Sequence, residues 1–339
     1  MKAIGFRTPL PLTDADALLD LDLPLPTPGP RDLRVAVRAV SVNPVDVKVR
    51  ANAMPPEGEA RVLGFDAAGI VDAVGAEVTL FQPGDAVFYA GAIDRPGTNS
   101  AFHLVDERIV GRKPATLSFT EAAALPLTAI TAWELLFDRL QVPYGVKRQG
   151  GTLLIINGAG GVGSILTQIA RRLTGLTVIA TASRPETVAW CLKMGAHHVI
   201  DHRKPLNEEL VAIGMPQVDY VASLTATAAH LPAILAAIAP QGHLALIDDP
   251  ASLDIVPFKR KSVSVHWELM FTRSLFGTAD MIEQHRLLNE VADLVDAGVL
   301  VTTLTQDAGP ITAENLRRVH GLVESGRSIG KAVLTGFPD

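Results

Sequence analysis

Between Leu33 and Gly91 apolar and polar residues alternate over short distances. "LRVAVRAVSV" (Leu33 to Val42) alternates and is rich in valine. "GIVDAVGAEV" and "DAVFYAG" are short, β-branched and cut by glycine, the pattern of strands joined by tight turns. The proline-rich "LPLPTPGPRD" before them reads as a surface connection. Near Ser118 the texture changes. "SFTEAAALPLTAITAWELLFDRL" is long and rich in alanine and leucine, and predicts helix, with Ser118 or Thr120 as the cap and Glu121 in the first turn.

From Gly151 onward strand and helix patterns alternate. "GTLLIING", "LTVIATAS", "HHVIDH", "VDYVASLT", "GHLALID" and "KSVSVHWEL" predict strands. Between them "GVGSILTQIARRLTG", "PETVAWCLKMGA", "EELVAIG" and "AAHLPAILAAIAPQG" predict helices, the second opened by Pro185 and closed by Gly195. Strands that are apolar throughout, with helices between them, imply a parallel sheet covered on both faces. The fold class expected is therefore α/β, with a mainly β domain in front. The tail holds the helix "MIEQHRLLNEVADLVDAG" and the strand "KAVLTGF", which is expected to return to the first domain.

Composition narrows the function classes. At 339 residues the chain is long enough for two domains. A formal net charge of −6 gives no sign of nucleic-acid or membrane affinity. The single cysteine, Cys191, fits a reducing compartment and excludes a zinc site built from several thiolates; on its helix it reads as a small buried hydrophobe. "MKAIGFRTPL" lacks the apolar run of a secretory signal, and no stretch is long enough for a membrane helix. The reading is a soluble, cytoplasmic protein.

One motif carries chemistry. "INGAGGVG" places Gly158, Ala159, Gly160, Gly161, Val162 and Gly163 in the G-x-G-x-x-G pattern, after an apolar strand and opening an apolar helix. The first glycine serves the tight turn, the second the approach of a pyrophosphate, and the third close packing of helix on strand. The helix N-terminus adds N–H donors and a favourable dipole. At the end of the next strand an NAD enzyme carries an acid for the ribose hydroxyls. Here the residues are Ser183 and Arg184, a hydroxyl and a guanidinium that suit the extra phosphate of NADP.

Taken together, "SVNPVDVKVR", "LGFDAAGIV", "PGDAVFY", "AALPLTAITAWELLF", "INGAGGVG", "LKMGAHHVIDHR" and "GKAVL" resemble the medium-chain dehydrogenase/reductase superfamily. Within it the chain is similar to the zinc-free quinone oxidoreductases related to zeta-crystallin, and to a bacterial branch labelled "zinc-binding alcohol dehydrogenase family". The resemblance implies a GroES-like, mainly β catalytic domain over residues 1–124 and 271–339 and a Rossmann NADP-binding domain over 125–270. It also implies a homodimer, joined by an edge strand near "KSVSVHWEL". The positions matching the family's catalytic zinc ligands read Asn43, Phe65 with Asp66 following, and Leu127. None is a good zinc ligand, so no metal is expected.

Without zinc, NADPH carries the reactivity, and quinones or α,β-unsaturated carbonyls are the expected substrates, their delocalisation letting hydrogen-bond donors replace a Lewis acid. Two rivals remain: a zinc-dependent alcohol dehydrogenase, and a non-catalytic NADPH-binding protein. Thr131 matches a family threonine that contacts the nicotinamide. Asn43 is a candidate for the nicotinamide ribose or a substrate carbonyl, or is a turn residue before Pro44. Lys48 replaces a family tyrosine near the nicotinamide. His202 matches a position near the adenosine phosphate, and Lys331 is a candidate phosphate ligand from the tail. Leu224, Thr225, Ile247 and Asp248 end later strands, where open parallel sheets bind ligands. Phe271 and Phe276 either wall a substrate pocket or belong to ordinary core. Histidines 197, 198, 230, 243, 266, 285 and 320 fall in no ligand-spaced pattern and read as structural.

Overall fold

The computed structural model describes residues 1–146 and 150–338. It divides into two compact units, Met1–Ile130 with Phe271–Asp339, and Thr131–Met270.

In the first unit, among the described residues, strands Leu304–Asp307, Lys331–Thr335, Asp32–Ser41, Ala67–Val74, Ala86–Tyr89 and Val110–Arg112 lie side by side in that order, with Phe102–Asp106 also on Asp32–Ser41. The tail does return: Val333 pairs with Ser41 and Thr335 with Ala39, antiparallel. Alternation decides the long strand. Leu33, Val35 and Val37 face the core with Val87, Tyr89 and Leu334, as a period of two requires. Gly69 sits where the strands approach most closely, because a Cβ there would lie 2.4 Å from Ala36 O. Three short strands, Lys2–Phe6, Leu19–Asp22 and Arg61–Val62, form a second sheet. Asn43-Pro44 is more than a turn: Pro44 opens the helix Pro44–Asn52, at the position where its missing N–H costs nothing.

The expected long helix after Ser118 is broken. Ser118 caps Phe119–Ala123 in a box with Glu121, Pro126 starts a second helix to Trp133, and Glu134–Arg139 continues as a π-helix.

In the second unit, among the described residues, six parallel strands run in the order His198–Ile200, Thr177–Thr181, Thr152–Ile156, Val218–Ser223, Ile238–Leu246, Ser264–Trp267. Numbered along this unit the order is 3-2-1-4-5-6, that of a doubly wound dinucleotide-binding sheet. Helix Gly161–Leu173 buries Ile165, Leu166 and Ile169 against it, each worth about 1.5–3 kcal/mol by removal from water. Pro185 opens the next helix, and Gly195, at φ 109°, closes it. One boundary moves. The helix expected to run to Gly242 ends at Ala237, and Ile238 already begins the strand, since β-branched Ile238 pairs with Val218 in the sheet. Among the described residues no helix is long and apolar enough to cross a membrane.

Candidate active site

The second unit gathers its candidates at one sheet edge. Strand order reverses between Thr152–Ile156 and Val218–Ser223, and ligands of such sheets bind at that switch point, beyond the carboxyl ends. The glycine turn follows the first of these strands, and Leu224 and Thr225 follow the second. Within the tight turn it is Asn157, at φ 70°, that takes the left-handed conformation. Gly158 is needed for space instead: a Cβ would meet Ala180 Cβ at 2.6 Å. Gly160 would meet only the Asn157 side chain, at 3.0 Å or more, and ends the turn as the helix cap. Gly163 lets helix and strand close up, since a Cβ would lie 2.3 Å from Asn157 O.

Ser183 and Arg184 follow the neighbouring strand Thr177–Thr181, both half-buried. Arg184 precedes Pro185 and its Nε lies 3.3 Å from Glu186 Oε1, both side chains well exposed, a pair worth little in water. His202 ends the third strand region, 6.2 Å edge-on from His230. Burial lowers the pKa of both rings. Ile247 follows the fifth strand. Asp248 serves a neighbouring helix: its carboxylate accepts Thr227 N at 2.8 Å and Thr227 Oγ1, and so caps helix Thr227–Ala237. Thr131 is buried at the start of this unit.

The first unit holds a different centre. Asp66 is fully buried. Its Oδ1 accepts Leu127 N at 2.8 Å. Its Oδ2 accepts Ser41 Oγ at 2.7 Å, Asn43 Nδ2 at 2.7 Å and Lys331 Nζ at 3.1 Å. Lys331 is 4% exposed and also donates to Val42 O at 3.0 Å and to Asn43 Oδ1. Three ammonium donors thus meet three acceptors, which is what makes a buried ion pair tolerable. Below it Asp46 accepts Asn43 N at 2.8 Å and Gly64 N at 2.9 Å. Burial pushes the Asp46 carboxyl up to about 7. Gly64, at φ 107°, has no room for a Cβ, which would lie 2.4 Å from Thr98 Oγ1.

This geometry corrects several expectations. Lys331 does not reach out to a phosphate, because its ammonium is spent inside the cluster. Asn43 is buried, with its amide turned onto Asp66 and Lys331, so it supports the site rather than offering a first contact. Lys48 stands exposed on helix Pro44–Asn52. Phe271 is core, packed edge-on to Phe65 at 5.3 Å, while Phe276 is 73% exposed. Cys191 is buried and its thiol pushed up to about 12, which leaves it inert at neutral pH. Four residues escaped the sequence pattern: Ser41, Asp46 and the buried pair Glu134 and Glu268. The last two carried a signal, a glutamate inside an otherwise apolar run.

The residues do not fit a zinc ion. At the positions matching zinc ligands stand an amide, a phenyl ring and an isobutyl group. Asp66 already takes four donors, one of them an ammonium. Among the described residues no group of three or more His, Cys, Asp or Glu could hold a metal.

Residues 29–126 match the alcohol dehydrogenase GroES-like domain, and residues 161–292 match the zinc-binding dehydrogenase domain. A zinc-type alcohol dehydrogenase-like protein of Staphylococcus aureus is 43% identical over 336 residues, covering 98% of this chain and 99% of that protein. The crystal structure of a protein from Rhizobium etli, described provisionally as a zinc-dependent alcohol dehydrogenase, is 60% identical, covers 100% of this chain and 99% of that one, and superposes with a TM-score of 0.96. Escherichia coli quinone oxidoreductase complexed with NADPH is 25% identical over 99% of this chain and 100% of its own, with a TM-score of 0.83.

Proposed function

Since the chain belongs to the medium-chain dehydrogenase/reductase superfamily, in its quinone-oxidoreductase-like group, we propose that it is an NADPH-dependent reductase of quinones and α,β-unsaturated carbonyls that works without a metal ion. Membership makes it an oxidoreductase with a pyridine-nucleotide-binding fold; the cofactor phosphate, the substrate class and the absence of zinc are the proposal.

The observation that carries this reading is the Lys331 ammonium on buried Asp66. The zinc-dependent route to a simple alcohol or ketone sets a Lewis acid at its oxygen, and among the described residues no donor set in this unit offers one a place. Quinones and enones spread the incoming charge over a conjugated system, so fixed donors suffice. Bound NADPH supplies the hydride. The glycine turn Gly158–Gly163 and the N-terminus of its helix would receive the pyrophosphate. Ser183 and Arg184 would take the 2′-phosphate, with His202 beside them, and Thr131 would orient the nicotinamide. Leu224, Thr225 and Ile247 would line the same edge. The proton that completes the reduction comes from solvent or a bound hydroxyl.

The test is oxidation of NADPH and of NADH with 1,4-benzoquinone, 9,10-phenanthrenequinone and a simple enone, each with and without a chelator. NADPH should be preferred, with chelator without effect. Equal rates with NADH would sink the Arg184 assignment. Activity lost to chelator and restored by zinc would restore the alcohol dehydrogenase reading. Tight NADPH binding with no turnover across the panel would leave a binding protein.

A further inference from the structure

Two buried glutamates in the second unit take no part in the chemistry proposed above. They occur in similar apolar runs, "AWELLF" around Glu134 and "HWELMF" around Glu268. Glu268 follows strand Ser264–Trp267 directly, and its N–H bonds Leu246 O at 3.0 Å. That contact fixes it at the carboxyl edge of the sheet. Glu134 lies three residues after Thr131 on one continuous helical run, where residues at that spacing share a face. It also opens the π-helix Glu134–Arg139, a widened turn that is frequent at functional sites. Arg139 Nε donates to Glu268 Oε2 at 2.7 Å. Glu134 and Glu268 are both buried, and the Glu134 carboxyl is the neighbouring acid of Glu268 in this cluster.

An ionised carboxylate has only acceptors, so two carboxyl groups neighbouring each other away from water attract only when one of them keeps a proton. The charge balance agrees. One guanidinium faces two buried acids, and full ionisation would leave a net negative charge away from water. Burial, and then the neighbouring charge of Glu134, push the Glu268 carboxyl up to about 8. His266 also lies near this corner, beside Arg139. Burial first, then His243 and Arg139, lower its pKa, so it brings no second positive charge at neutral pH.

We infer that Glu134 and Glu268 share one proton and use it as a lock, tying the helical turn that carries Thr131 to the carboxyl edge of the sheet. This rests on the reading in which Thr131 orients the nicotinamide. Protonated, the pair joins the two segments. Deprotonated, two like charges face each other beside one guanidinium and the tie is lost. Neither acid touches substrate; both are positioning residues, and nucleotide affinity is what they control.

The test uses the full-length protein and two variants, Glu268→Gln and Glu134→Gln, in each of which an amide N–H donates the bond with no proton to lose. NADPH dissociation constants are measured by fluorescence from pH 6.5 to 9.5, together with thermal unfolding. Wild type should lose affinity above the titration of the pair, by at most about tenfold per pH unit. Both variants should be flat by comparison, and should bind more tightly than wild type at the alkaline end. The lock is overturned if a variant keeps the wild-type pH dependence, or if wild type shows none. If NADPH binds at no pH, the functional reading fails separately. Unfolding then still decides: the wild-type midpoint should drop on alkalinisation more than that of Glu268→Gln, and a parallel drop in both overturns the lock.

Discussion

Replacing Lys331 by Met probes the buried pair most directly. The side chains are similar in length, so little volume is lost, but Asp66 Oδ2, Val42 O and Asn43 Oδ1 each lose a donor. Asp66 keeps Ser41, Asn43 and the Leu127 N–H, so its charge is solvated in part and uncompensated. Removing one partner of a buried pair costs about 3–5 kcal/mol. The second change, Asp66→Asn on the Lys331→Met background, removes the stranded charge and should recover about 2–3 kcal/mol of that loss. In a unit of roughly 200 residues each kcal/mol moves Tm by about 2–4 °C, so the single variant should fall by about 6–20 °C. The chain offers a convenient separation of signals. All three tryptophans, Trp133, Trp190 and Trp267, lie in the second unit. Their fluorescence therefore reports that unit, while far-UV circular dichroism reports both. The loss should appear in the dichroism transition and far less in fluorescence. A single-variant cost below about 1 kcal/mol, or a double variant as damaged as the two singles summed, refutes the pairing argument.

Three further outcomes follow from particular positions. His320 is fully buried, neither ring nitrogen has a hydrogen-bond partner, and burial pulls its pKa down to about 3. The unfolded chain takes up this proton below about pH 6.5 and the folded one does not, so stability is lost as pH falls; His320→Leu should spare about 2 kcal/mol of that loss at pH 5, read from Tm at pH 5 and 7, and equal acid sensitivity in both proteins refutes it. In Gly163→Ala the new Cβ would meet backbone at 2.3 Å; overpacking of about 1–3 kcal/mol should displace the turn and weaken NADPH binding at least tenfold, and an unchanged titration counts against the cradle. Trp267 is 56% exposed on the edge strand of the parallel sheet; if that edge joins two copies, Trp267→Glu should convert a dimer to a monomer by light scattering, and an unchanged mass excludes this interface.

Legibility followed the length of the local signal. The parallel strands were readable because each is apolar on both faces and bounded by glycine or a helix cap, as at Thr152–Ile156 and Thr177–Thr181. Lys2–Phe6 and Leu19–Asp22 were missed because they are short, and proline and acidic residues separate them; pairing with each other, and of Lys2–Phe6 with Arg61–Val62, makes them strands. Helix Pro44–Asn52 was hidden by Val45, Val47 and Val49, whose period of two suits a strand. Pro44 at its first turn and the Asp46 carboxylate on Asn43 N overrule that pattern. The candidate nucleotide edge was proposed for a topological reason. Once the strands are placed in order, the residues after their carboxyl ends must converge. Asp248 shows the limit of that rule, since a strand end can equally serve a neighbouring helix.

The Lys331–Asp66 pair was not legible at all, and register explains why. The partners are 265 residues apart. They meet because the tail strand pairs Val333 with Ser41 and Leu334 with Val40, which continues to Lys331 opposite Asn43. A slip of one residue would turn every side chain to the other face and set the methyl of Ala332 where the ammonium now stands. A lysine beside "AVL" is ordinarily solvated, so nothing local marks this one as internal. Its burial has a chemical consequence. The Asp66 carboxylate is fully buried and already receives the Lys331 ammonium and three further donors, which leaves it no open side toward a substrate. In this unit Asp66 is thus withdrawn from substrate by the same contacts that withdraw it from a metal, and in the proposed reduction the completing proton would enter from elsewhere.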